Sequence, residues 1–185
     1  MKNVVFTVII FSLCTLPAAA GDIKGKVGGK AGNTMVVWVE GVKRFQVPRN
    51  RPTISQSGTR FSPSVLVVVA GQTVDMPNDD NVAHNVFSYS PVKPFNLGIY
   101  PKGELRSVTF TRTGVVDLFC SIHRHMNAKI VVVPNPYFSQ TTGGGAYSIA
   151  SVPPGKYVVK IWGQGLGILS KEVVVPARGE VTLDF

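Results

Sequence analysis

Cysteine is nearly absent from this chain. Only Cys14 and Cys120 occur in 185 residues. Cys14 falls inside an N-terminal stretch that reads as a leader, so the remainder carries one thiol and can form no internal disulfide. Histidine is almost as scarce, with three residues: His84, His123 and His125. That number excludes a catalytic cluster of several metal ions, which needs many more imidazoles. Charge is low at 16%, and cations outnumber anions 19 to 10. No stretch has the period of a long amphipathic helix. No segment after the leader is long enough to span a bilayer, for which about 20 apolar residues are needed.

What the chain does contain is short Val-rich runs punctuated by 19 Gly and 13 Pro, within a composition that is 44% hydrophobic. This can support a packed core and predicts an all-β protein of short strands and turns. The predicted strands include IKGKV and TMVVWVE near the start and VLVVV (65–69), TVDMP (73–77), VAHNVFS (82–88), RSVTFTR (106–112), VVDLFC (115–120) and AKIVVV (128–133) in the middle. AYSI, KYVVKIW, KEVVV and EVTLDF follow near the end. Residues 45–62, rich in Pro, Arg, Ser and Gln, read as a linker or edge segment.

Residues 1–20 have the layout of a secretory signal peptide: Lys2, the apolar run 4–14, then Ala18-Ala19-Ala20 before Gly21. The expected location is therefore the periplasm. Leu13 before Cys14 argues against a lipoprotein signal. The formal charge of +9, or +8 without Lys2, would suggest nucleic acid in a cytoplasmic protein. In an exported one it suits an acidic protein partner, anionic lipid or solubility alone. No nucleic-acid partner and no membrane span in the mature chain are expected.

A lone thiol in an oxidising compartment is a liability unless buried or ligated, so Cys120 needs a reason. It opens CSIHRHM (120–126), with an imidazole three residues on and a thioether three further. His84 lies upstream in AHNVFS. Strand parity puts Val116, Leu118 and Cys120 on one face, and Val82, His84 and Val86 on one face. A thiolate, two imidazoles and a weak thioether form the ligand set of a blue-copper site. The predicted metal ligands are His84, Cys120, an imidazole of the H-R-H segment (His123 or His125 by proximity) and Met126, holding one copper ion as Cu(I) or Cu(II). Zinc fits less well, because Met is a poor fourth ligand for a structural site. His125 is near enough in sequence to tune or bind the metal, and this stays open. Asp79 and Asp80 read as turn formers. No Ser-His-Asp or Cys-His-Asn arrangement competes, and no catalytic turnover is expected.

The run FSPSVLVVVAGQTVDMPNDDNVAHNVFS, followed by Phe119-Cys120 and C-x2-H, resembles the cupredoxin family over about residues 53–133. Its C-x2-H-x2-M spacing is similar to the short ligand loop of amicyanin-type members, some of which are linked to methylamine utilisation, and the resemblance implies that His123 is the loop's imidazole ligand. The resemblance implies a Greek-key β-sandwich, single-electron transfer with a redox partner such as a cytochrome c or a dehydrogenase, and a supporting role for Asn85 in tying down the ligand loop. Two other readings stay open: copper delivery without redox work, and a metal-free structural or interaction module. The tail TTGGGAYSIASVPPGKYVVKIW resembles carboxypeptidase regulatory-like domains, though an acidic residue of that pattern is missing near Gly143. The opening strands of such a sandwich are absent before the tail but present at 23–40. The expectation is that residues 22–44 and 134–185 form one small sandwich into which the cupredoxin is inserted; the reading of residues 22–44 as extra cupredoxin strands stays open beside it.

Overall fold

The computed structural model describes residues 19–28, 34–141 and 143–185; residues 1–18 of the expected leader, with Lys2 and Cys14, lie outside the described residues. The described chain is all-β. In chain order the strands are β1 (Gly21–Lys26), β2 (Met35–Glu40), β3 (Ser55–Ser57), β4 (Arg60–Ser62), β5 (Val65–Val69), β6 (Thr73–Pro77), β7 (His84–Ser88) and β8 (Phe95–Tyr100). They continue as β9 (Leu105–Thr109), β10 (Gly114–Phe119), β11 (Asn127–Val133), β12 (Phe138–Gln140), β13 (Ala146–Val152), β14 (Gly155–Gly163), β15 (Gly167–Val175) and β16 (Glu180–Thr182). Among the described residues, no helix is long and apolar enough to cross a membrane.

The middle of the chain builds a five-stranded sheet ordered β5-β11-β10-β7-β8, with the pairs β6–β9 and β3–β4 beside it. Period-2 alternation explains its core. Val116, Leu118 and Cys120 point inward, join Val74, Met76, Val86, Phe110 and Ile130, and are all but sealed from water. The alternate residue Phe119 is exposed. β5 lies parallel to β11, Val65 opposite Lys129 through Val69 opposite Val133.

A second pair of sheets draws strands from both ends of the chain. β1 lies between β13 (antiparallel) and β16 (parallel), and β2 lies between β12 and β14, with β15 outside β14. Their inward residues, among them Ile23, Val37, Val39, Ile149, Val159, Ile161 and Val173, form a separate core. At β1 the backbone of the C-terminal residues comes so close that a Cβ on Gly25 would sit 1.9 Å from the Leu183 carbonyl oxygen. Only glycine fits there.

The two sandwiches are joined by a third buried cluster. Val67, Val69, Val131 and Val133, the outward faces of β5 and β11, pack against Val36, Trp38 and Trp162 of β2 and β14. This is why VLVVV and IVVV are continuous apolar runs: both faces of these strands are covered.

Two sequence expectations differ from the structure. Within the stretch read as a linker or edge segment, residues 55–62 form the two-stranded β3–β4 hairpin, and Ile54, Gln56 and Phe61 are buried, so the linker alternative fails there. Its turn takes Gly58 and Thr59 through positive φ (58° and 53°), a conformation suited to a two-residue hairpin loop. Val82 precedes β7 and is 46% exposed, so it does not share the inward face of His84 and Val86. Parity fails there because the residue lies in the loop.

Candidate metal centre

The centre is assembled at one end of the middle sandwich by two loops. His84 is the first residue of β7, opposite Tyr100 of β8, and is fully buried. Cys120 directly follows β10, and Met126 directly precedes β11. The last β10–β11 pair is Phe119 with Asn127, so loop 120–126 closes this hairpin. Inside the loop the Met126 amide donates to the His123 carbonyl at 2.9 Å, a tight turn that brings Met126 back toward the start of the loop. Met126 is buried in the same apolar cluster as Cys120.

The donor atoms converge. His84 Nδ1 lies 3.0 Å from His123 Nδ1, and Cys120 Sγ lies 3.9 Å from His123 Nδ1. All three donor atoms lie within 4.8 Å of one another. For ligand bonds of about 2.0 Å to nitrogen and about 2.3 Å to thiolate sulfur, two nitrogens on one ion sit within about 4 Å, and a nitrogen and a sulfur within about 4.3 Å. The observed 3.0 and 3.9 Å for the two pairs with His123 fall inside those limits, and the His84–Cys120 pair is held within 4.8 Å. One thiol and two imidazoles converge here, and Met126 lies in the same buried core as Cys120; sulfur and imidazole donors of these types suit copper better than a hard cation.

His125 points elsewhere. It is exposed, and its Nε2 lies 3.2 Å from Thr59 Oγ1. Among the described residues, the metal-capable cluster comprises His84, Cys120 and His123 without it. Asn85 bridges the two halves of the site. Its Oδ1 accepts from the Ser121 amide at 3.3 Å, and its Nδ2 donates to Asn96 Oδ1 at 2.9 Å and to the Gly98 carbonyl at 3.1 Å. The residue after Cys120 is thereby tied to β8.

Sequence reasoning missed Asp80 as part of the site. It does help form a turn, its amide donating to Asn78 Oδ1 at 2.9 Å. Its carboxylate also accepts from the Thr59 amide at 2.7 Å and the Asn81 amide at 3.1 Å, and it lies 3.0 Å from His84 Nε2. The Thr59 amide above all, then the imidazole of His84, holds this carboxyl down to about 2. The signal available in sequence was the D-x-x-x-H spacing, too common to have weight alone.

No protein-family profile matches the chain, and no curated protein sequence matches it. Solved structures do. A purple cupredoxin from Nitrosopumilus maritimus is 26% identical, with a TM-score of 0.42, over 44% of this chain and 99% of that one. A reduced amicyanin variant is 24% identical, with a TM-score of 0.43, over 52% of this chain and 98% of that one. A copper-containing nitrite reductase from Thermus scotoductus is 23% identical, with a TM-score of 0.44, over 59% of this chain and 28% of that one. Each likeness spans about half of this chain.

Proposed function

We propose that this protein is an exported cupredoxin-type carrier that binds one copper ion through His84, Cys120, His123 and Met126 and passes single electrons between redox proteins. The observation that carries this reading is the convergence of the His84, His123 and Cys120 donor atoms, with Met126 buried in the same core. Copper held by such a donor set supplies reversible one-electron chemistry. The protein's own residues supply the rest. The β10–β11 hairpin and the Asn85 bridge restrain Cys120, and the buried start of β7 restrains His84. A donor set already in place needs little reorganisation between oxidation states, which favours fast transfer. His123 is the half-exposed member of the set, and Ile122 beside it is exposed. A partner would approach there. The excess of cations favours an acidic partner, a cytochrome c or a dehydrogenase.

The short C-x2-H-x2-M loop supports an amicyanin-like subtype, and the leader-like residues 1–20 support a periplasmic location. Residues 22–44 and 134–185 are read as one discontinuous carboxypeptidase regulatory-like module around the copper module. The pairing of β1 with β13 and β16, and of β2 with β12 and β14, supports that division.

The test is the visible spectrum after Cu(II) addition, for the protein and for Cys120→Ser. The expected result is an intense thiolate-to-copper band that the substitution abolishes. Stoichiometric binding without that band would replace electron transfer with storage or delivery. No binding would overturn the reading and leave an interaction module.

A further inference from the structure

The carboxylate of Asp80 lies against the one ring nitrogen of His84 that faces away from the donor cluster. His84 Nδ1 faces His123, while Nε2 faces Asp80 Oδ2 at 3.0 Å. His84 is fully buried, so water cannot satisfy Nε2. A carboxylate oxygen 3.0 Å from Nε2 is placed to accept a hydrogen bond from an Nε2–H, and in a neutral imidazole that leaves Nδ1 as the bare nitrogen. Asp80 is itself held from three sides. The Thr59 and Asn81 amides donate to its carboxylate, and its own amide is fixed on Asn78, which is fully buried and donates to the carbonyls of Val82 and Tyr100. The β3–β4 turn reaches both loops of the centre: the Thr59 amide serves Asp80, and its hydroxyl meets His125 of the loop 120–126.

We infer that Asp80 is the positioning residue of the centre: it locks His84 as the Nε2–H tautomer with a bare Nδ1 aimed into the donor cluster, and the turn at Thr59 holds Asp80 in place. The inference deepens the copper reading and rests on it for its functional meaning, but the tautomer is a property of the protein alone. When copper is bound, a carboxylate behind the imidazole raises ligand basicity and favours the more highly charged ion.

The first experiment is long-range 1H–15N correlation of the metal-free protein, well above the ordinary imidazole pKa of about 6.5. The native protein is expected to show His84 as a single Nε2–H tautomer, and Asp80→Asn a mixture. Asp79→Asn is the control. Asp79 is exposed and is bonded through its backbone amide, which donates to the Gln56 carbonyl, so a neighbouring charge goes while the His84 tautomer stays. A proton on Nδ1 of neutral His84 in the native protein would overturn the inference. So would a tautomer unchanged in Asp80→Asn, or one shifted as much by Asp79→Asn.

Copper titration then separates the inference from the reading beneath it. Asp80→Asn is expected to lose about 10–100-fold in Cu(II) affinity. If Cu(I) affinity is unchanged, each tenfold loss raises the potential by about 59 mV. Native affinity and potential in Asp80→Asn would overturn the role of Asp80 at the centre. A locked tautomer in a native protein that binds no copper would uphold the positioning and overturn the copper reading.

Discussion

Removing Trp162 tests whether the two sandwiches act as one stability unit. Trp162 and Trp38 are the only tryptophans of the chain, each 7% exposed, and both lie in the cluster between β2–β14 and β5–β11. A buried Trp covers about 150–250 Å2, which at about 25 cal/mol/Å2 corresponds to about 4–6 kcal/mol. Ala recovers part of this, and Trp→Ala changes in cores cost about 3–5 kcal/mol. With a urea slope of about 2 kcal/mol/M, Trp162→Ala is expected to lower the unfolding midpoint by about 1.5–2.5 M. Trp38 fluorescence then reports the joint, and pulse-labelling of the buried Cys120 thiol, resolved by peptide mass, reports the metal centre. Because β5 and β11 wall both the joint and the core beneath the centre, the two probes should shift together. A loss under about 1 kcal/mol, or a fluorescence transition that moves while Cys120 protection does not, would refute the shared-wall argument.

Three further outcomes follow from particular contacts. Met126→Leu roughly conserves volume in a buried site, so stability should change by less than about 1.5 kcal/mol. The copper spectrum and potential should shift, because on the proposed reading Met126 would be the weak thioether ligand that tunes them; an unchanged spectrum would reduce Met126 to a core residue. Burial pushes the hydroxyls of Tyr100 and Tyr147 up to about 12, against about 10 in the unfolded chain. Both favour the neutral form when folded, so stability is intact below about pH 10 and falls as pH rises from about 10 to about 12. Urea midpoints across that range check this, and an equal decline in the Tyr100→Phe, Tyr147→Phe double variant would sink the assignment. Gly25→Ala puts a methyl against the Leu183 carbonyl and should destabilise by about 1–3 kcal/mol in urea unfolding; a neutral result would mean that the C-terminal residues do not hold this close approach.

The sequence by itself determined what is local. Alternation in VVDLFC puts Val116, Leu118 and Cys120 inward because a strand turns every second side chain to the same face. Spacing in CSIHRHM puts a thiol, an imidazole and a thioether in one short loop because the chain between them is only a few residues long. The all-β class followed from the dense Val runs and turn residues. Only the tertiary structure decided what depends on contacts between distant residues. VLVVV and IVVV read as strands, but that their second face is covered by Trp38 and Trp162 depends on segments far away in the chain. Residues 45–62 look like a linker or edge segment because only Ile54, Gln56 and Phe61 go under, too few to show a period. Asp80 reads as a turn residue because its turn is local; its contact with His84 Nε2 exists because the β3–β4 turn brings the Thr59 amide to its carboxylate. Periodicity reports which way a side chain faces, and the folded chain decides what it meets there.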